Sequence, residues 1–201
     1  MTGRFSRAGL VRRGAAGSGM VLVSGSVLGA LARAASAAAP PDADLAYLRL
    51  LIATELLEAD FLSRALASGK LGKPGSSLLR RMAAHEKAHY TGLANLTSAA
   101  GQTPTTADDI DFSYPKGTFA TSASILKQAE KLEQLVLGAY LGAGENVQTA
   151  QLRLPLCQIG ASEAQHCGAL AALAGRPGIE SAFAASLQMD AVSDALDAYE
   201  S

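Results

Sequence analysis

Tryptophan is absent from this sequence, and phenylalanine and tyrosine bring the aromatic share to only 5%. With 49% of residues hydrophobic, the core must be aliphatic. Its main components, alanine and leucine, are also strong helix formers. Cysteine is nearly absent: Cys157 and Cys167 are the only two, and they lie ten residues apart in one helical stretch. That separation is about 15 Å along a helix axis, too far for a bond between them. They read as small core residues, with a disulfide between chains as a minor alternative.

Acidic residues are missing from the first 39 positions, which hold Arg4, Arg7, Arg12, Arg13 and Arg33. Removing those five arginines from 17 basic residues leaves 12 against 18 acidic, so the formal charge of −1 conceals a body at −6. That body has no basic cluster, which argues against nucleic acid as a partner. Residues 1–39 have the layout of an export signal instead. Arg12-Arg13 close a basic region, residues 14–31 are apolar but diluted by Gly and Ser, and Ala35-Ser36-Ala37 offers small residues for cleavage. The arginine pair and the weakly apolar core are similar to a twin-arginine signal, and about 18 apolar residues would also serve as an uncleaved anchor. The expectation is an exported protein of the periplasm, cell envelope or extracellular space, touching a membrane only through this segment if it is retained. Residues 40–201 are then one domain, long enough for a single hydrophobic core.

That domain carries a repeated spacing. Glu86 and His89 stand three residues apart, as do Glu163 and His166, and Glu55-Leu56-Leu57-Glu58 and Glu130-Lys131-Leu132-Glu133 add two pairs of acids at the same interval. Residues three apart share a helix face, so each segment directs two metal-binding side chains at one point. The surrounding residues predict helices. Asp42 or Asp44 is expected to cap the first, which reaches about Ser68 and has Glu55 inside the stripe Leu45, Leu48, Leu51, Ile52, Leu62 and Leu66. After a turn at 69–75, Ser76 or Ser77 caps a second helix reaching about Ala100, with Glu86 and His89 inside Leu79, Met82, Leu93 and Leu96. A third runs from a Thr121 or Ser122 cap to about Gly144, with Glu133 beside Leu126, Val136, Leu137 and Tyr140. A fourth runs from about Val147 to Ala174, kinked or restarted at Pro155, with Glu163 and His166 between Leu156, Ile159, Leu170 and Leu173. Residues 179–199 read as a shorter fifth helix.

Residues 102–120 are polar and turn-rich, and their acidic run Asp108-Asp109-Ile110-Asp111 reads as a solvated loop. About 20 residues suffice to cross the length of a 25-residue helix, so the fold class expected is all-α: two helical hairpins joined by one long crossover. A carboxylate inside an apolar stripe is costly to bury alone, and a cation removes the cost. Two helices each giving a Glu and two each giving a Glu-x-x-His is the ligand inventory of a dinuclear carboxylate bundle. Glu58 borders the same face as Glu55. Glu130 has Lys127 beside it, so an ion pair competes with a place in the site. His85 reads as a support behind the ligands or as a surface residue, and Tyr90 and Tyr140 as hydrogen-bond donors to the ligands or as packing residues.

The chain resembles the ferritin-like superfamily, and more closely the exported bacterial ferritin-like proteins related to plant desiccation-associated proteins. The resemblance covers about residues 43–175. It is carried by Glu55-Leu56-Leu57-Glu58-Ala59-Asp60-Phe61, His85-Glu86-Lys87-Ala88-His89, Leu132-Glu133 followed by Ala139-Tyr140-Leu141-Gly142-Ala143, and residues Ile159 to His166 before Leu173-Ala174-Gly175. It implies a four-helix bundle with a di-iron site, manganese being the other candidate, held by Glu55, Glu86, His89, Glu133, Glu163 and His166. Glu130 with Glu133 is similar to the paired glutamates of rubrerythrins. The implied activity is oxidation of Fe(II) or consumption of peroxide or oxygen, and a homo-oligomer is compatible with it. The competing expectation is a structural or stress-protective envelope bundle whose metal site is vestigial or only stabilising.

Overall fold

The computed structural model describes residues 39–178 and 181–200, so residues 1–38 of the expected export signal lie outside it. Five α-helices follow in order: α1 Asp42–Ala67, α2 Lys73–Ala99, α3 Ser122–Asn146, α4 Ala150–Leu173 and α5 Met189–Asp197. No β-strand is formed among the described residues; one isolated bridge pairs Phe112 with Glu200. The four long helices pack as a closed square, α1 on α2, α2 on α4, α4 on α3 and α3 on α1, and α5 covers α1 and α3.

The expected crossover between α2 and α3 is present and can be followed by its contacts. It leaves α2 where Arg49 of α1 donates to the Gln102 side chain. It then passes the middle of α1, where the Tyr114 hydroxyl donates to the Leu57 carbonyl and the Asp60 carboxylate. It ends with Phe119 packed on Phe61, ring centroids 5.6 Å apart. α3 therefore starts beside the C-terminal end of α1 and runs antiparallel to it. The acidic run within the crossover is a one-turn helix, Ala107–Asp109, in which Asp109 accepts from the backbone and hydroxyl of Thr106.

Several local expectations change. Asp44 does not cap α1, which begins after Pro41 with no side-chain cap. α2 begins earlier than a serine cap would put it, because Pro74 in its first turn needs no N–H partner there. Thr121 does cap α3, in a reciprocal pair with Ser124. α4 runs through Pro155. α1 buries more than one stripe, since Tyr47, Leu50, Ala53, Leu56, Leu57 and Phe61 are buried alongside Leu48, Leu51 and Ile52. A second covering layer on α1, made by the crossover and α5, explains the excess. Each of these leucines contributes roughly 1.5–3 kcal/mol by leaving water. Cys157 is exposed and Cys167 half-buried, so Cys157 is not the core residue expected.

The fifth helix is also shorter than expected. Residues 181–188 are irregular and lie along α3, where the Leu187 N–H donates to the Gly138 carbonyl at 2.9 Å. The approach needs glycine: a Cβ on Gly142 would stand 1.9 Å from the Leu187 carbonyl oxygen, and one on Gly138 2.7 Å from Leu187 Cγ.

Candidate metal centre

All four long helices deliver a buried carboxylate to the middle of the square: Glu55 and Glu58 from α1, Glu86 from α2, Glu133 from α3 and Glu163 from α4. α2 and α4 add His89 and His166, one turn after their glutamates, as the three-residue spacing dictates. The result is two ligand groups, Glu55, Glu86, His89 and Glu163, and Glu86, Glu133, Glu163 and His166, each with its ligand atoms within 4.8 Å of one another. Glu86 and Glu163 belong to both.

The sharing is oxygen by oxygen. His89 Nδ1 lies 2.8 Å from Glu163 Oε1 and 2.9 Å from Glu86 Oε2, with Glu55 Oε2 at 3.6 Å. His166 Nδ1 lies 3.1 Å from Glu163 Oε2 and 3.2 Å from both Glu86 Oε1 and Glu133 Oε2. Each shared carboxylate thus gives one oxygen to each imidazole. A ring nitrogen carries at most one proton, so it can serve one of its three carboxylate neighbours. The surplus is visible as buried oxygens without a hydrogen-bond partner: Glu55 Oε2, Glu86 Oε1, Glu163 Oε1 and both oxygens of Glu58. A pair of cations would give each of them a partner, so the residues fit a dinuclear centre.

The electrostatics follow from crowding five acids out of water. Burial pushes Glu58 well above the usual carboxylate range, and the charges of Glu133, Glu86, Glu163 and Glu55 push in the same direction. Burial, with Glu163 and Glu86, takes Glu55 up to about 8 against the opposing hydrogen bond with His89. Glu133 is raised by burial despite its bond with His166. Glu163 is the exception: burial opposes its charge, but contacts with both imidazoles outweigh it and hold the carboxyl at about 2. Burial disfavours both imidazolium ions, yet the carboxylates around them lift His89 to about 11 and His166 to about 12. Protons therefore occupy the positions that cations would take, and metal binding here must release them.

The remaining residues fall into place around this centre. The Tyr140 hydroxyl donates to Glu55 Oε1, and burial followed by the charge of Glu55 keeps that phenol protonated. Tyr90 points elsewhere and donates to the Thr105 carbonyl. Glu130 turns outward to Arg176, not Lys127. Burial, then Glu133 and Glu163, push the Cys167 thiol up to about 12, so it stays a thiol. Sequence reasoning had no local way to rank Glu58, although one signal was present: it lies among Leu56, Leu57, Phe61 and Leu62 with no basic residue within four positions.

The family model of the ferritin-like domain matches residues 43–176. The chain belongs to the ferritin-like domain family. No curated protein matches it. The matched span takes in all four helices that carry the cluster, so the ferritin-like bundle and its carboxylate–histidine centre coincide in one unit. That combination fits a metal-binding ferritin-like protein. No helix among the described residues is long and apolar enough to cross a membrane.

Proposed function

We propose that this ferritin-like protein is exported and holds two iron ions, or two manganese ions, with which it oxidises Fe(II) or consumes oxygen or peroxide. The observation that carries the reading is the division of Glu86 and Glu163, each offering one oxygen to either half of the site. Bridging carboxylates of this kind accommodate a change in metal charge, and a mixed nitrogen and oxygen donor set suits iron or manganese. The bound ions would supply the electron transfer. The chain's own part would be to hold them: Glu86 and Glu163 would be shared between the two ions, His89 and His166 would give one nitrogen each, and Glu55 and Glu133 one carboxylate each. Tyr140 fixes the orientation of Glu55. Export rests on the arginine pair and apolar stretch of residues 1–39.

Metal analysis of protein purified after native export tests the reading, together with oxygen uptake on adding Fe(II) and fractionation of the cells. Two metals per chain, lost in Glu163→Ala, are expected; full occupancy surviving that substitution would sink the proposal. A non-catalytic reading, in which metal only stabilises an envelope protein, draws support from the enclosure of the centre. Neither of two shallow surface grooves, one along Pro115 to Gln134 and one beside Arg64 and Tyr114, includes a cluster residue. Metal binding without oxygen uptake would select that reading.

A further inference from the structure

His85 stands outside both ligand groups, yet its Nδ1 lies 2.9 Å from His166 Nε2. The two rings lie almost edge to edge, with centroids 5.1 Å apart and planes 19° from parallel, and His85 itself is exposed to solvent. The opposite nitrogen of His166 faces the oxygens of Glu133, Glu163 and Glu86. For that nitrogen to bind a metal, its lone pair must be free, and the one proton of the neutral ring must sit on Nε2. His85 Nδ1 is placed to accept this proton, which fixes both the tautomer and the plane of the ring.

Among the described residues, the other half of the site has no such support. His85 precedes Glu86 on α2 and reaches the histidine of α4. By the same arrangement Ser162, which precedes Glu163 on α4, would be the residue to back the histidine of α2. Among the described residues no hydrogen bond joins Ser162 to His89, and the polar contacts of His89 all run through Nδ1, to Glu86, Glu163 and Glu55.

We propose that His85 is a positioning residue that makes the two metal positions unequal, so that the position at His166 and Glu133 binds more tightly than the one at His89 and Glu55. This rests on the dinuclear reading above. Metal-free full-length protein is titrated with Co(II), followed by calorimetry and by the visible bands of the bound ion, for the wild type, His85→Ala and His85→Asn. The wild type is expected to fill in two steps. His85→Ala weakens the tighter step 10- to 100-fold, the range for losing such a support, and leaves the other within about 3-fold. His85→Asn, whose Oδ1 takes the place of Nδ1 as acceptor, restores the tighter step.

Unchanged steps in His85→Ala, equal weakening of both, or an asparagine variant as weak as the alanine one would each overturn the proposal. So would a drop in the melting temperature of metal-free His85→Ala that His85→Asn does not recover, since that marks a packing role. A wild type that binds no cobalt would overturn the dinuclear reading itself and the proposal with it, a result distinct from any failure confined to the variants.

Discussion

Asp44 joins the two hairpins of the bundle, and its removal gives a stability effect whose size and pH dependence can be worked out. It sits in the first turn of α1 with no exposure to solvent. Its carboxylate accepts the backbone N–H groups of Gln148 at 3.0 Å and Thr149 at 2.7 Å, in the turn between α3 and α4. Hydrogen bonds to a charged group contribute about 1.5–3 kcal/mol each. In Asp44→Asn the amide keeps one acceptor oxygen and points an NH₂ at the other donor, so one bond is lost and the second weakened. The expected loss is roughly 3 kcal/mol, or about 6–12 °C in melting temperature for a domain of this size. Burial works against the charge of Asp44, but the bonds from Thr149 and Gln148, with Arg153 nearby, win and lower its pKa below 3.8. A carboxyl lowered on folding stabilises above its unfolded pKa and loses that contribution as pH falls through the folded value. The gap between wild type and Asp44→Asn should thus be full at pH 7 and 5 and should close below about pH 4. Urea denaturation of metal-free protein across that range measures it. A gap under about 0.5 kcal/mol at pH 7, the level of an ordinary surface substitution, or one that persists unchanged to pH 3, refutes the reasoning.

Two further substitutions probe other parts of the fold. Gly142→Ala puts a methyl into the Leu187 carbonyl, so the 181–188 segment must lift away. A loss of about 1–3 kcal/mol and faster proteolytic cleavage in that segment are expected, and an unaltered digestion pattern would count against the docked arrangement. Glu58→Gln replaces a buried carboxyl whose oxygens both lack partners. Burial and the neighbouring carboxylates hold Glu58 protonated, so folding at pH 7 must take up a proton that the amide does not need, and metal-free Glu58→Gln should gain about 1–2 kcal/mol. If Glu58 ligates a metal, the variant should also bind it more weakly, so thermal melts with and without Co(II) separate the two roles.

The centre was largely readable from spacing, because Glu-x-x-His twice in apolar stripes obliges two helices to carry buried acid and base together. What spacing could not rank was Glu58 against Glu55. Both border a stripe on α1, and α1 is covered on further sides by the crossover and α5, so neither acid could be assigned to an exposed flank. Asp44 was expected as a local cap, and its partners lie 104 and 105 residues away, beyond the reach of any local pattern. Glu130 met the same difficulty: Lys127 was close in sequence, but Arg176, past the end of α4, was close in space. The stripe Leu156, Ile159, Glu163, His166 and Leu170 marked the inner face of α4, and Cys157 lies off it, on the side it shares with the exposed Gln158 and Gln165; the core reading followed cysteine's usual burial and not its place on the helix. The 179–199 stretch has helical composition throughout, yet residues 181–188 are irregular where Leu187 packs on Gly138 and Gly142 of α3, contacts that no local pattern announces.

Those glycines bear on how copies of the chain can meet. A helix face bearing glycines four apart is a natural seam for close backbone packing between two molecules, and Gly138 and Gly142 offer one on α3. Here the chain's own segment around Leu187 has filled that seam. A second copy could pack its backbone closely on this face of α3 only after that segment had been peeled away.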